Sequence, residues 1–164
     1  MPKVIFRLGD DVSTDIIYPG RYMATVLPAE TPQFAFADIK ELNDRLKSKQ
    51  VMPGSIIVAG KNFGCGSSRE QAVSALKGYE LIIIARNFAR IFLQNSVNLG
   101  LQTITCPGID ANVGDVFETT SIEVINKTSG KVFPVIPLPQ SRKAIMDAGG
   151  LIAYTRKRVM ERHS

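Results

Sequence analysis

The run from Gly60 to Glu70, Gly-Lys-Asn-Phe-Gly-Cys-Gly-Ser-Ser-Arg-Glu, gathers hydroxyls, a guanidinium and glycines between an apolar strand-like stretch and a helical pattern. Gly60, Gly64 and Gly66 permit positive φ and a close approach of backbone to a ligand. Amides at the start of a helix point outward with partial positive charge, so such a loop receives anions. Ser67 and Ser68 add hydroxyls, and Arg69 adds a planar fork suited to a carboxylate. A small acidic molecule is the expected occupant.

Two other readings fit parts of the run. Ser67 with Glu70, or Ser68 with Gln71, has the form of a capping box, in which a serine caps the helix and the acidic or amide side chain three residues on reaches back. In the second register Ser67 stays free to face a ligand. A Walker-type phosphate loop fits poorly, because Cys65-Gly66-Ser67 stands where that loop needs Gly-Lys-Ser/Thr, and Lys61 is misplaced.

Little else in the chain can carry chemistry. The lone histidine is His163, in the tail, so no Ser/His or Cys/His pair exists. Cys65 and Cys106 are too few for a disulfide framework or a metal cage. Cys65 sits near a helix start, where a thiol could be a reactive thiolate, and Cys106 reads as core. Of the 164 residues 45% are hydrophobic and 21% charged, the balance of one ordinary globular domain spanning 1–164. The apolar stretch around Leu81 to Ala85 is far too short for a membrane span and the start lacks a signal-peptide pattern, so a cytoplasmic location is expected. The net charge of +5 gathers late, at Arg156, Lys157, Arg158 and Arg162, without interleaved aromatics, which argues against nucleic-acid binding.

The elements that must position the loop follow an α/β order. Lys3 to Leu8 reads as a strand, followed by a turn at Gly9-Asp10-Asp11 and a polar segment running to Gly20. Ile39, Leu42 and Leu46 recur at helical spacing between Ala37 and Lys47. Ser55 to Ala59 is a buried-type strand, Glu70 to Lys77 a helix closed by Gly78, and Leu81 to Ala85 the next strand. Asn87 caps a helix with Phe88, Ile91, Phe92 and Leu99 on its apolar face and Gly100 as its stop. Then β-type runs cover Val116 to Thr119, Ser121 to Ile125 and Lys131 to Ile136, with Lys127 to Gly130 as a hairpin turn. A helix from Gln140 to Ala148 stops at Gly149-Gly150, and a short apolar element and basic tail finish the chain.

Three segments together resemble a known family: Gly9-Asp10-Asp11-Val12-Ser13-Thr14-Asp15-Ile16-Ile17, the run Gly60 to Glu70, and Ala85 to Phe92 continuing to Asn98-Leu99-Gly100. Their order and spacing are similar to those of the short-form small subunit of 3-isopropylmalate dehydratase and the related homoaconitase, the counterpart of the swivelling fourth domain of aconitase. The resemblance implies a β/β/α three-layer swivelling domain of the aconitase C-terminal type. It also implies reversible dehydration of a hydroxy-di- or tricarboxylate at an interface with a large subunit carrying a [4Fe-4S] cluster, this chain holding no cofactor of its own.

By position, the resemblance makes Ser67 the base and Asp15 the acidic member of the site, although Asp15 also suits the closure of its own turn. Ser68, Arg69, Gly64 and Gly66 would bind substrate, with Arg21 a further contact. Tyr22-Met23-Ala24-Thr25 corresponds to a specificity loop, and its lack of charge favours isopropylmalate over homoaconitate. Asp10 and Asp11 read as turn and surface residues, and Arg90 and Asn95 as a solvated helix face, with Asn95 and Asn98 also able to support the glycine loop from the neighbouring helix; the resemblance makes Cys65 a small filler. The alternatives are a homoaconitase or a dimethylmalate or methylmalate-type dehydratase subunit and, from another class, a non-catalytic anion-binding module. The residues leave open the stoichiometry and whether the isolated chain self-associates.

Overall fold

The structure, a computed structural model, describes residues 1–163. Four short strands, β1 (Val4–Arg7), β2 (Ile56–Ala59), β3 (Ile82–Ala85) and β4 (Gln102–Thr105), form a parallel sheet in that order. The connections carry helices: α1 (Thr14–Ile17) and α2 (Lys40–Lys47) between the first two strands, α3 (Glu70–Gly78) after β2 and α4 (Arg90–Leu99) after β3. A second, antiparallel sheet is built from β5 (Phe117–Thr119), β6 (Glu123–Asn126) and β7 (Val132–Pro134). Helices α5 (Gln140–Asp147) and α6 (Leu151–Arg162) end the chain.

The alternation of side chains along a strand explains the layering. Ile57, Ala59, Ile83 and Ala85 pack into one core with α2 and α3 residues such as Leu42, Leu46, Val73 and Leu76. Their neighbours Ile56, Val58 and Ile84 point the other way, into a core with Phe117 and Val124 of the antiparallel sheet. A strand covered on both faces has no place for a polar residue, which is why β2 and β3 read as unbroken apolar runs. Each fully buried isoleucine contributes about 1.5–3 kcal/mol. The layers are therefore sheet, sheet and helix, the β/β/α arrangement expected.

Most expected boundaries hold within a few residues, with two differences. Asn87 does not cap α4: Ala89 is its N-cap, with no side-chain bond, while Asn87 Oδ1 accepts the Asn62 amide of the glycine loop. The ending read as a short apolar element and basic tail is instead the longest helix, α6, which buries no residue. Its turn packs tightly all the same, because a Cβ at Gly150 would lie 2.5 Å from the Asn98 carbonyl oxygen and Lys77 Nζ donates to Gly149 O at 2.9 Å.

Candidate active site

Three parallel strands deliver the site's segments at their carboxyl ends, where open α/β sheets bind ligands. β1 runs into Gly9 to Ile17, β2 into the glycine loop, and β3 into the start of α4. Asp10 Oδ1 accepts the Lys61 amide at 2.7 Å, and Asn62 Nδ2 donates to Asp11 at 3.0 Å. Gly60 lacks a side chain because one would collide with Asp10, at 1.9 Å; its φ is not positive, contrary to the sequence reading. Gly64 has φ +84° and leaves room for the Phe92 ring, so it serves packing between loop and helix, and it also borders the cleft between them. Gly66, at φ +94°, is exposed.

Neither capping box forms. Helix α3 starts at Glu70 with Arg69 as its N-cap and no side-chain cap bond. Ser67 and Ser68 are exposed instead, and Gln71 Nε2 reaches away to Met23 O at 3.3 Å. Ser68 Oγ has one neighbour, Asn95 Nδ2, at 3.4 Å. From Gly66 through Gln71 no backbone amide donates to another group among the described residues. A row of unpaired donors leading into a helix N-terminus is an anion cradle.

The short helix α1 braces this row. Ser13 Oγ caps it by accepting the Ile16 amide at 3.2 Å. Gly64 N donates to Val12 O at 2.7 Å, Thr14 N to Cys65 O at 2.8 Å, and Thr14 Oγ1 to Ser67 O at 2.8 Å. Next in the chain, Asp15 Oδ1 accepts from Arg69 Nη1 at 2.7 Å and from Gly20 N at 2.9 Å. The Arg69 hydrogen bond, then the Gly20 amide, holds the Asp15 carboxyl below its usual range, so it is ionised at neutral pH. Arg69 Nη1 also donates to Tyr18 O at 2.9 Å, and Nε and Nη2 have no acceptor among the described residues.

A cleft of about 470 Å³ opens between this loop and α4. Thr14, Gly64, Gly66, Ser67, Ser68 and Arg69 line one wall. Arg90, Ile91, Gln94 and Asn95 line the other; of these the sequence places Ile91 on an apolar face and Arg90 and Asn95 on a solvated one. Ile91 is 53% exposed, so it belongs to this wall and not to the core. The Arg90 side chain has no hydrogen bond or ion pair with the described residues, which makes it an open cation in an anion-receiving cleft.

Arg21 and the following loop lie outside this lining. Both terminal nitrogens of Arg21 are held by Asp38, at 3.0 and 2.5 Å, and its guanidinium rests over the Tyr22 ring. Tyr22 stacks on Phe34 with ring centroids 4.1 Å apart, and Tyr18 Oη donates to Tyr22 O and Thr25 O. Tyr22, Met23 and Thr25 are half-buried, while Ala24 is exposed. Cys65 is half-buried in the loop and Cys106 is buried after β4. No group of three or more His, Cys, Asp or Glu side chains placed to hold a metal occurs among the described residues, and no helix among them is long and apolar enough to cross a membrane.

Comparison with known proteins agrees with this architecture. Residues 17–108 match the aconitase C-terminal domain. A 3-isopropylmalate dehydratase small subunit from Methanosarcina mazei is 44% identical over 161 residues, covering 96% of this chain and 97% of that one. An isopropylmalate/citramalate isomerase small subunit from Methanocaldococcus jannaschii is 43% identical, covering 96% of this chain and 94% of its own. The crystal structure of 3-isopropylmalate dehydratase LeuD from that organism superposes with a TM-score of 0.86 at 38% identity, covering 98% of this chain and 96% of that one. The chain belongs to the family of 3-isopropylmalate dehydratase small subunits, built on the aconitase C-terminal domain.

Proposed function

We propose that this chain is the small subunit of a two-subunit cytoplasmic hydro-lyase that interconverts 2-isopropylmalate and 3-isopropylmalate in leucine biosynthesis. The observation that carries the proposal is an exposed serine set in a row of unpaired amides, beside an ion-paired arginine, in a chain of this family. In this reading Ser67, as its alkoxide, removes the proton from the carbon next to a substrate carboxylate, and returns it in the reverse direction. A serine hydroxyl is far too weak an acid to ionise in water. The free amides, the α3 N-terminus and Arg69 place donors and positive charge where the alkoxide forms.

Ser68 and the two unengaged nitrogens of Arg69 bind a substrate carboxylate, while ionised Asp15 fixes the guanidinium plane. The loss of hydroxide needs an electrophile, and a [4Fe-4S] cluster on the large subunit would supply Lewis-acid polarisation of that group. This chain's donors do not fit such a cluster, since its two thiols stand on separate segments with one of them buried. The large subunit is therefore the expected site of the iron and the other face of the cleft.

Substrate choice follows from which cations are already engaged. In this family the loop corresponding to Tyr22 to Thr25 meets the variable end of the substrate, and with Arg21 bound by Asp38 a third carboxylate beside Ala24 would be desolvated without a partner from that loop. An isopropyl group there gains about 0.8 kcal/mol per methylene equivalent on burial. The M. jannaschii relative adds citramalate as a second substrate, in which a methyl takes the isopropyl position. The test is reconstitution with the large subunit and comparison of kcat/KM for isopropylmalate, citramalate and homoaconitate. Isopropylmalate is expected to lead, Ala24→Arg to raise the relative rate with homoaconitate, and the isolated chain to be inactive. Activity of this chain alone, or a preference for homoaconitate, contradicts the proposal.

A further inference from the structure

Resting on that reading of Ser67, we infer that Thr14 is a positioning residue whose hydroxyl sets the direction of the amides around the base. The carbonyls on either side of Gly66 and Ser67 both turn to Thr14: Cys65 O accepts its amide and Ser67 O its hydroxyl, each at 2.8 Å. No peptide bond among the described residues is cis. In a trans peptide the C=O and N–H point in opposite directions. The Gly66 and Ser68 amides are thus directed away from Thr14, and both lack an acceptor among the described residues.

The device is rigid where it needs to be. Thr14 is 4% exposed, is the first residue of a helix capped by Ser13, and donates its hydroxyl across 53 positions of sequence. Gly66 approaches it closely enough that an added Cβ would sit 3.5 Å from Thr14 Oγ1. One side chain therefore governs the peptide between Ser67 and Ser68. Without the hydroxyl, Ser67 O would lose its partner, and that peptide could rotate to seek water, carrying the Ser68 amide with it.

Thr14→Val keeps the shape and removes the hydroxyl, whereas Thr14→Ser keeps the hydroxyl. In the reconstituted complex Thr14→Val is expected to lower kcat by at least about tenfold with KM within about twofold, since a transition-state donor is misdirected rather than a binding group lost. Because the alkoxide is then less stabilised, the limb of the kcat–pH profile that reports deprotonation of the base should move to higher pH. Thr14→Ser should restore both. A Thr14→Val complex with unchanged kcat and pH limb, while Ser67→Ala is inactive, overturns the inference and leaves the role of Ser67 standing. Full activity of Ser67→Ala overturns both. A readout independent of assembly is amide chemical-shift titration of the full chain with malonate. The Gly66 and Ser68 amides should respond in wild type, and in Thr14→Val the Ser68 response should be lost while Gly66, whose peptide is held through the Thr14 backbone amide, still responds. Equal responses, or none in wild type, overturn the inference.

Discussion

Two glycine-containing turns of this molecule treat their amides in opposite ways. In the hairpin between β6 and β7, Thr128 N and Ser129 N donate to Asn126 Oδ1, Gly130 N to Asn126 O, and Lys127 N to Val116 O. Asn126 itself is 2% exposed and donates to Asp115 at 2.8 Å. From Gly66 to Gln71 none of the amides has a partner among the described residues. The first turn closes its own hydrogen bonds and needs nothing else. In the second, the backbone is braced through its carbonyls and the loop's side chains through Asp15 and Tyr18, and its amides are left for a molecule outside the chain. Unpaired donors cost little while water reaches them and gain strength when water is excluded, as closure of a partner subunit over the cleft would do.

The sharpest way to break this comparison is one substitution made twice. Gly66 and Gly130 have φ of +94° and +80°, and an added methyl meets Thr14 Oγ1 at 3.5 Å in the first case and nothing within 4 Å in the second. Alanine at either site should cost a similar stability, about 1–2 kcal/mol. Gly66→Ala is expected to lower kcat of the reconstituted enzyme by about 10² through misplaced amides, and Gly130→Ala to leave it unchanged. Equal kinetic effects would dissolve the distinction.

A smaller effect of the opposite kind is expected from Asn126→Ala. Leaving buried groups unpaired should cost about 1–3 kcal/mol. That corresponds to a fall in Tm of roughly 2–4 °C per kcal/mol for a chain of this size, with kcat and KM intact. Thermal unfolding and steady-state kinetics on the same sample check it.

The carboxylate behind Arg69 gives a finer test. Asp15 has a depressed folded pKa, so its pairing favours the folded state above the unfolded value of about 3.9 and that contribution is lost as pH falls through the folded value. Carbon-detected NMR should place its titration below that of an ordinary aspartate, and Arg69→Gln should move it up. A midpoint unaffected by Arg69→Gln would mean the ion pair does not form in solution. The smallest effect concerns the thiols: a soluble alkylating reagent should label Cys65 in the native chain well before Cys106, which is buried with its thiol pushed up to about 11.

The sequence was most informative where a local pattern meets a local consequence. The β-branched runs of β2 and β3, and Gly100 at φ +80° ending α4, follow from neighbours in the chain. The loop from Gly64 to Arg69 and Asp15 likewise converge where the motif placed them. What escaped depends on partners far away in sequence. Ser67 and Glu70 have capping-box spacing, yet Thr14 holds Ser67 O and the helix opens after Arg69. Asn87 looks like a cap and instead bonds Asn62, and Gly60 is small because Asp10 fills its place. Helix α6 left no apolar stripe to read, since no core covers it. Arg90 faces the cleft because α4 stands across from the loop, an arrangement that helical periodicity alone does not encode.

The most direct test of the central claim is proton exchange by the reconstituted complex in heavy water. The wild type should incorporate deuterium at the substrate carbon that gains its proton on rehydration. Ser67→Ala should bind isopropylmalate with KM within a few-fold of wild type but slow this incorporation by about 10² to 10⁴, the loss typical of a missing acid–base group. Incorporation at the wild-type rate in Ser67→Ala would show that the proton is moved by another group, and would contradict the account.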